Sequence, residues 1–272
     1  MRNASREGPQ AHGFETNLWT LDRIAEIIER EFDISVSSSS VWRYLRKMGW
    51  SCQKPEQRAR ERDDEEIRRW MTETWPAIKK ARTEGYTLVF VDECGFYLDP
   101  VVRRTWAPRG ETPVQYSWTR QGRLSVFTAL LVTLRDNEQP PDVGLFFWIR
   151  EKHYTGWIIY ELLRDDLRYR WQDSILVLDN WAGHKKAARL LEEAFDDTSL
   201  ALDIEYLPPY APELNPVEQV WGHTKYGELS NYVPEDIDTL EARVDQSIAA
   251  KDEQPELLQG FLKAAELDFG LK

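Results

Sequence analysis

At 272 residues the chain can form one large or two modest domains with a real core. It has no 18-residue apolar run, and its N-terminus (MRNASREGPQ) lacks a hydrophobic signal region, which argues against a helical membrane span or secretion and for a cytoplasmic protein. The formal charge of -12 speaks against a nucleic-acid partner, but that charge is uneven: residues 1–85 carry 16 Lys+Arg against 15 Asp+Glu, and residues 86–272 carry 19 against 32. Within 39–60, six basic residues (Arg43, Arg46, Lys47, Lys54, Arg58 and Arg60) accompany Glu56 alone. That patch is either a DNA footprint or a solvated basic stretch. Cys52 and Cys94 lack the spacing of a zinc site or a disulfide framework.

The first dozen residues show no apolar period and are expected to fray. Residues 18–32 (LWTLDRIAEIIEREF) place Leu18, Leu21, Ile24, Ala25, Ile28 and Phe32 on one helical face. Asp33-Ile34-Ser35 then turns the chain. Ser37 to Ser40 offer caps for a second helix over 41–48, with Trp42, Leu45 and Met48 apolar and Arg43, Arg46 and Lys47 outward. Two short helices joined by a tight turn, the second basic on its exposed face, form the helix-turn-helix pattern, although ordinary helical hairpins share it. The expected DNA-binding domain is 1–55. A charged helix over 56–82 lies within the linker 56–85, its Asp63–Glu66 run read as a solvated face.

After Gly85 the pattern changes. Strands are predicted over 86–91, 124–134 and 143–149, a helix over 154–170, a strand over 175–178, a helix over 186–195 and a strand over 202–207. Helices follow over 217–229, 237–250 and 255–267. This α/β order, assigned to a domain over 86–272, suits a mixed sheet covered by helices on both faces. It is also the order of a ribonuclease H-like core, in which the first and fourth strands are neighbours. The expected fold is therefore such a sheet, preceded by a small all-α helix-turn-helix domain.

Three carboxylates stand out in that frame. Asp92 closes the apolar run TLVFVDE and Asp179 closes SILVLDN, so both are expected at the C-terminal ends of buried strands, where ligands of open α/β sheets bind. Glu218 follows Asn215-Pro216, a helix-start signal that places it in a first turn. Three converging carboxylates repel one another unless a divalent cation neutralises them, and hard oxygen ligands suit Mg²⁺ or Mn²⁺.

The segments FVDECGF, RRTWAPRGETP, LVLDNWAGHK and LPPYAPELNPVEQVW resemble the catalytic domain of DDE transposases, above all the mariner-like superfamily in its bacterial insertion-sequence branch. GFETNLWTLDRIAEII through VWRYLRKMGW resembles the second helix-turn-helix of that branch. The likeness runs from about Gly13 to about Leu229, with 38 residues between Asp179 and Glu218. It implies a transposase that cleaves DNA strands and transfers them by phosphoryl transfer with two Mg²⁺ or Mn²⁺ ions. Asp92 would bridge the ions, and Asp179 and Glu218 would each complete one. Implied partners are terminal inverted repeats, TA target sites and a second copy of the chain on DNA; no membrane partner is expected. Family members usually carry another helix-turn-helix before this one, so weak, poorly selective end binding is expected of a chain starting here. Two rivals stay open: a non-catalytic repressor that occupies inverted repeats, and a structure-selective nuclease on the same fold.

The neighbours divide between roles. Glu93 should point to the face opposite Asp92 and serve in capping or pairing. His184 either contacts a phosphate, orients Asp179 or is a satisfied structural histidine; Asn180 flanks the same ligand. Glu213, in a proline-bracketed loop, is expected to determine the fold rather than bind metal. Trp106 either stacks on an unpaired base, with Arg104 and Arg109 on phosphates, or is a buried pin for a Pro-Gly turn.

Overall fold

The structure, a computed structural model, describes residues 8–55, 58–81, 86–117, 121–134, 140–171, 173–196 and 202–271. Residues 1–7 of the arm and both ends of the helix expected over 56–82 lie outside the described residues. The chain forms two compact units, Met1–Gln57 and Arg58–Lys272.

The first unit is a helix-turn-helix. A tight turn at Pro9–His12, with Pro9 buried, replaces part of the expected fraying. Helix α1 (Leu21–Phe32) begins at Thr20, whose side chain accepts from Arg23 N at 3.2 Å. It ends where Asp33 adopts a left-handed conformation, φ 56°. Helix α2 (Ser38–Lys47) is capped by Ser37, and Ser38 Oγ donates to Asp22 Oδ1 of α1 at 2.7 Å. Their small core is Ile24, Ile28 and Val41, with Trp19, Leu21, Ala25, Val36 and Leu45 around it. Three expected core positions are instead exposed: Leu18, Phe32 and Trp42. Leu18 precedes the helix and Phe32 ends it. In α2, Val41 and Leu45 at i and i+4 define the inner face, which rotates Trp42 outward beside the basic residues.

The second unit opens with a helical segment: α3 (Asp64–Arg69), a wider turn at Trp70–Thr74, and α4 (Trp75–Ala81). The Asp63–Glu66 run lies on a solvated face as expected, with Asp63, Asp64 and Glu65 exposed, and Asp63 also caps α3 by accepting from Glu65 N and Glu66 N at 2.8 and 3.1 Å. This segment is not a bare linker: Ile67, Trp70, Trp75 and Ile78 are buried in the core of the unit.

The sheet contains β1 (Thr87–Tyr97), β2 (Arg123–Thr133), β3 (Asp142–Arg150), β4 (Ser174–Leu178) and β5 (Leu202–Tyr206), in the order β3-β2-β1-β4-β5. β1, β2 and β3 are antiparallel neighbours, whereas β4 runs parallel to β1 and β5 parallel to β4. Alternation divides each strand between two cores. Leu88, Phe90, Leu124, Val126, Leu130, Ile175 and Val177 face a core completed by the α3–α4 segment, α7 (Val217–Trp221), α8 (Ile237–Asp252) and α9 (Pro255–Ala264). Val89, Val91, Phe127, Ala129, Leu176 and Leu178 face α5 (Gly156–Tyr169) and α6 (Ala182–Phe195). The mixed sheet with helices on both faces is therefore as expected.

One strand differs from its sequence reading. β1 does not stop at Val91 but pairs with β2 as far as Tyr97. Its parallel partner stops sooner, the last pair being Phe90 with Val177. Asp92 thus lies inside β1 but at the carboxyl end of its parallel pairing, which preserves the rim position. No helix among the described residues is long and apolar enough to cross a membrane.

Candidate active site

Asp92 and Asp179 each lie two residues beyond the last β1–β4 pair, so strand register alone sets them side by side. The segment after β5 supplies the third carboxylate. Asn215 Nδ2 donates to Val91 O at 3.2 Å, and its Oδ1 accepts from Val217 N at 3.2 Å, so one amide both docks and starts α7. Leu214, Val217 and Val220 are fully buried and fix that short helix. Glu218 then stands in its first turn and lines, with Asp92 and Asp179, one cleft of about 500 Å³ walled by Trp181 and the loop from Leu207 to Pro212. The helix expected over 217–229 runs on to Glu228, α-helical as far as Trp221 and more widely wound over Gly222–Glu228.

Each carboxylate is held differently. Trp221 Nε1 donates to Asp92 Oδ2 at 3.0 Å. Burial first, then the charges of Glu218 and Glu93, push the Asp92 carboxyl up to about 8 despite that bond. Burial also raises Glu218, with Lys225 opposing and Asp179 adding to the rise. Asp179 goes the other way: its burial favours protonation, but hydrogen bonds from His184 and Trp181 N outweigh it and lower the carboxyl. Oδ1 takes both bonds, from Trp181 N at 2.9 Å and from His184 Nδ1.

His184 is fully buried, and its Nε2 reaches Glu93 Oε1 at 3.1 Å. Burial alone would discharge it, but bonds to Asp179 and Glu93 raise it to about 10, so it sits as a cation between two carboxylates. With both ring nitrogens engaged and the side chain buried, His184 presents no free nitrogen to a phosphate here and is placed to orient Asp179. Glu93 takes the pairing role expected of it. Asn180 donates to Leu207 O at 2.5 Å and ties the end of β4 to the exit of β5.

Glu213 is likewise a fold residue. Arg62 reaches Glu213 Oε1 at 2.5 Å, Asp64 Oδ1 at 2.7 Å and Tyr210 O at 2.9 Å, which clamps the loop leading to Glu218. Sequence reasoning missed Arg62, which carries no local signal for a partner about 150 positions away. It also missed Trp221, although Glu218 and Trp221 at i and i+3 share a helix face.

The buried-pin reading of Trp106 is overturned: its side chain is 99% exposed. Arg104 and Arg109 are exposed beside it, in an irregular arm between β1 and β2. Asn231 pins both legs of that arm. Its Oδ1 accepts from Arg103 N at 2.8 Å, its N donates to Val101 O at 2.9 Å, and its O accepts from Gln115 Nε2 at 2.7 Å.

Among the described residues, no three His, Cys, Asp or Glu side chains converge closely enough to hold a metal ion. The three carboxylates share the cleft without forming a cage. Asp179 is turned to His184 and Asp92 to Trp221, as mutual repulsion favours. The donor set nevertheless fits a hard divalent cation: all three groups lining the cleft offer carboxylate oxygens, and the charges of Glu218 and Glu93 add to burial in raising Asp92.

Comparison with known proteins gives the family. Residues 87–241 match the DDE superfamily endonuclease model, and residues 15–74 match a winged helix-turn helix model. No curated protein matches in sequence. Among solved structures, the chain is similar to the Mos1 mariner paired end complex with Mg, with TM-score 0.62, 18% identity, and 95% of this chain and 74% of that one covered. It is also similar to the Mos1 strand transfer complex, with TM-score 0.60, 16% identity and coverage of 98% and 78%. These likenesses carry the fold, and the family match spans more than half of the sequence. The chain belongs to the DDE superfamily of endonucleases.

Proposed function

We propose that the protein is a transposase that cleaves DNA at the ends of a mobile element and joins the freed ends to target DNA. The observation that carries this proposal is the in-register placement of Asp92 and Asp179 at one cleft with Glu218. Support also comes from the Mos1 transposase, whose structures include paired-end complexes with Mg and with Mn and a strand transfer complex.

Asp92, Asp179 and Glu218 would hold two divalent cations, Mg²⁺ or Mn²⁺. When bound, such ions activate an attacking oxygen and stabilise the leaving one. Trp221 fixes Asp92, and His184 fixes Asp179 through Oδ1, leaving Oδ2 for the cleft. Arg62 and Asn215 hold the loop and helix that present Glu218. Water attack on a phosphodiester breaks the P–O3′ bond and frees a 3′-hydroxyl. That hydroxyl then attacks a target phosphodiester and releases another 3′-hydroxyl, so no covalent bond to the protein is required.

Arg43, Arg46 and Lys47 on the outer face of α2 would meet DNA phosphates. Trp106, Arg104 and Arg109 on the exposed arm suit contact with an unpaired base and its phosphates. Two copies of the chain would act together, one at each element end.

The proposal is tested with a plasmid carrying the inverted repeats that flank the coding sequence. Nicking is expected with Mg²⁺ or Mn²⁺ and not with Ca²⁺ or EDTA; equal nicking in EDTA would remove the metal-dependent mechanism. Binding gives a second expected result. Arg43→Ala with Arg46→Ala should weaken duplex binding and flatten the dependence of log affinity on log salt by roughly one unit for each phosphate-binding charge removed. Unchanged affinity and slope would move the DNA surface elsewhere.

A further inference from the structure

A second pocket lies on the other face of β1, parted from the carboxylate cleft by Trp181, which lines both. Asp92 faces the α7 side, and alternation turns Glu93 toward α5 and α6. The second pocket, of about 370 Å³, is walled by Glu93, Arg123, Ser125, His153, Tyr154 and Trp181, with Cys94 at its edge.

Two of its polar groups have no partner among the described residues. Ser125 is 3% exposed and its Oγ is unsatisfied, and the buried Nε of Arg123 is unsatisfied too. Buried donors in that state call for an acceptor from outside the chain. The site is also built to hold the guanidinium. Gly95 pairs with Ser125 across the strands, and a Cβ on Gly95 would stand 2.9 Å from Arg123 Nε. Arg123 lies over the ring of Tyr97 at 5.5 Å, and its Nη1 is 3.1 Å from His153 Nε2. Glu93 is the opposing charge in the wall, but it is engaged by His184. A guanidinium fork beside a free hydroxyl is a donor set for a phosphate oxyanion.

Trp181 adds a second element. A Cβ at Gly183 would stand 2.1 Å from its ring, so only glycine lets the indole seat there, edge-on to His184 at 5.3 Å. The indole is still 43% exposed. A fixed aromatic face beside a phosphate pocket is a platform for a stacked base.

We propose that this pocket binds a phosphodiester of the DNA strand that enters the carboxylate cleft, with a neighbouring base stacked on Trp181. The proposal rests on the strand-cleavage function above, but it is a statement about binding and is tested by binding. The measurement is fluorescence anisotropy of a labelled single-stranded oligonucleotide with the full chain in Ca²⁺. Arg123→Gln should weaken binding roughly tenfold and flatten the salt slope by about one unit. Arg123→Lys should restore the slope without the full affinity, since it keeps the charge and loses the fork. Ser125→Ala, which removes a hydroxyl with no partner and so leaves folding intact, should weaken binding a few-fold. Unchanged affinity and slope in both Arg123→Gln and Ser125→Ala overturn the proposal. So does inorganic phosphate that shifts the Arg123 Nε–H resonance while oligonucleotide affinity stays independent of Arg123, which would mark a free-phosphate site. Arg123-dependent oligonucleotide binding by a chain that never cleaves DNA in Mg²⁺ would sustain the pocket and remove the cleavage function.

Discussion

Asp92→Asn, Asp179→Asn and Glu218→Gln should each lower Mg²⁺-supported DNA cleavage by at least about a hundredfold, the scale on which even supporting partners of metal ligands change affinity or activity. Each replacement keeps the size of the side chain and removes one negative charge from the cleft. Duplex binding should stay near the wild-type level, because the basic face of α2 belongs to the other compact unit. The Asp92 variant should also fold at least as stably as the parent. Its carboxylate is buried and raised to about 8, so ionisation at that position works against folding. The checks are a nicking assay, a binding titration and a thermal melt on the same preparations. Cleavage at the parental rate in any of the three variants would remove that residue from the proposed catalytic set.

Glu228→Gln should destabilise the second unit by about 3 kcal/mol, the low end of the range for breaking a buried ion pair from one side. Lys251 is fully buried, and its Nζ donates to Glu228 Oε2 at 2.7 Å, Ser247 O at 2.8 Å and Ser247 Oγ at 3.0 Å. Removing the carboxylate leaves an ammonium in the core without a counter-charge. Melting should fall by roughly 6–12 °C. Lys251→Met should cost far less, because Glu228 is partly exposed and water can solvate it once alone. The pH dependence has a definite sign. Burial raises the Glu228 carboxyl, but bonds from Lys251 and Ser247 outweigh it and hold the carboxyl below its ordinary value. Its contribution is therefore present above the ordinary carboxylate pKa and lost as pH falls through the lowered one. An acid limb of the melting profile that is equally steep in Glu228→Gln and the parent would show that another group governs it.

Residue pattern carried much of this protein. Short apolar runs ending in Asp92 and Asp179 announced buried strands with carboxylates at the sheet rim. Asn215-Pro216 announced the start of the helix that bears Glu218. Those signals are local, because strand burial and helix capping depend on residues within a few positions of one another. The alternation that put Asp92 and Glu93 on opposite faces was legible for the same reason.

Other features waited for the tertiary structure. Trp42 and Trp106 are large and apolar, and composition assigns such residues inward; the phase of α2 set by Val41 and Leu45 turned the first outward, and an arm pinned by Asn231 carried the second into solvent. His184 gained its role only when β1 brought Glu93 against α6 and gave one imidazole two carboxylates. Arg62 and the pocket of Arg123 and Ser125 had no sequence signature, since each depends on a neighbour brought close by chain folding; Trp221 shared a helix face with Glu218, but its bond to Asp92 likewise waited for the fold. The sequence by itself determined which strands and helices form and which carboxylates reach the rim, because those follow from short-range periodicity. Only the tertiary structure decided which cations and indoles meet those carboxylates, because such contacts join segments that share no local pattern.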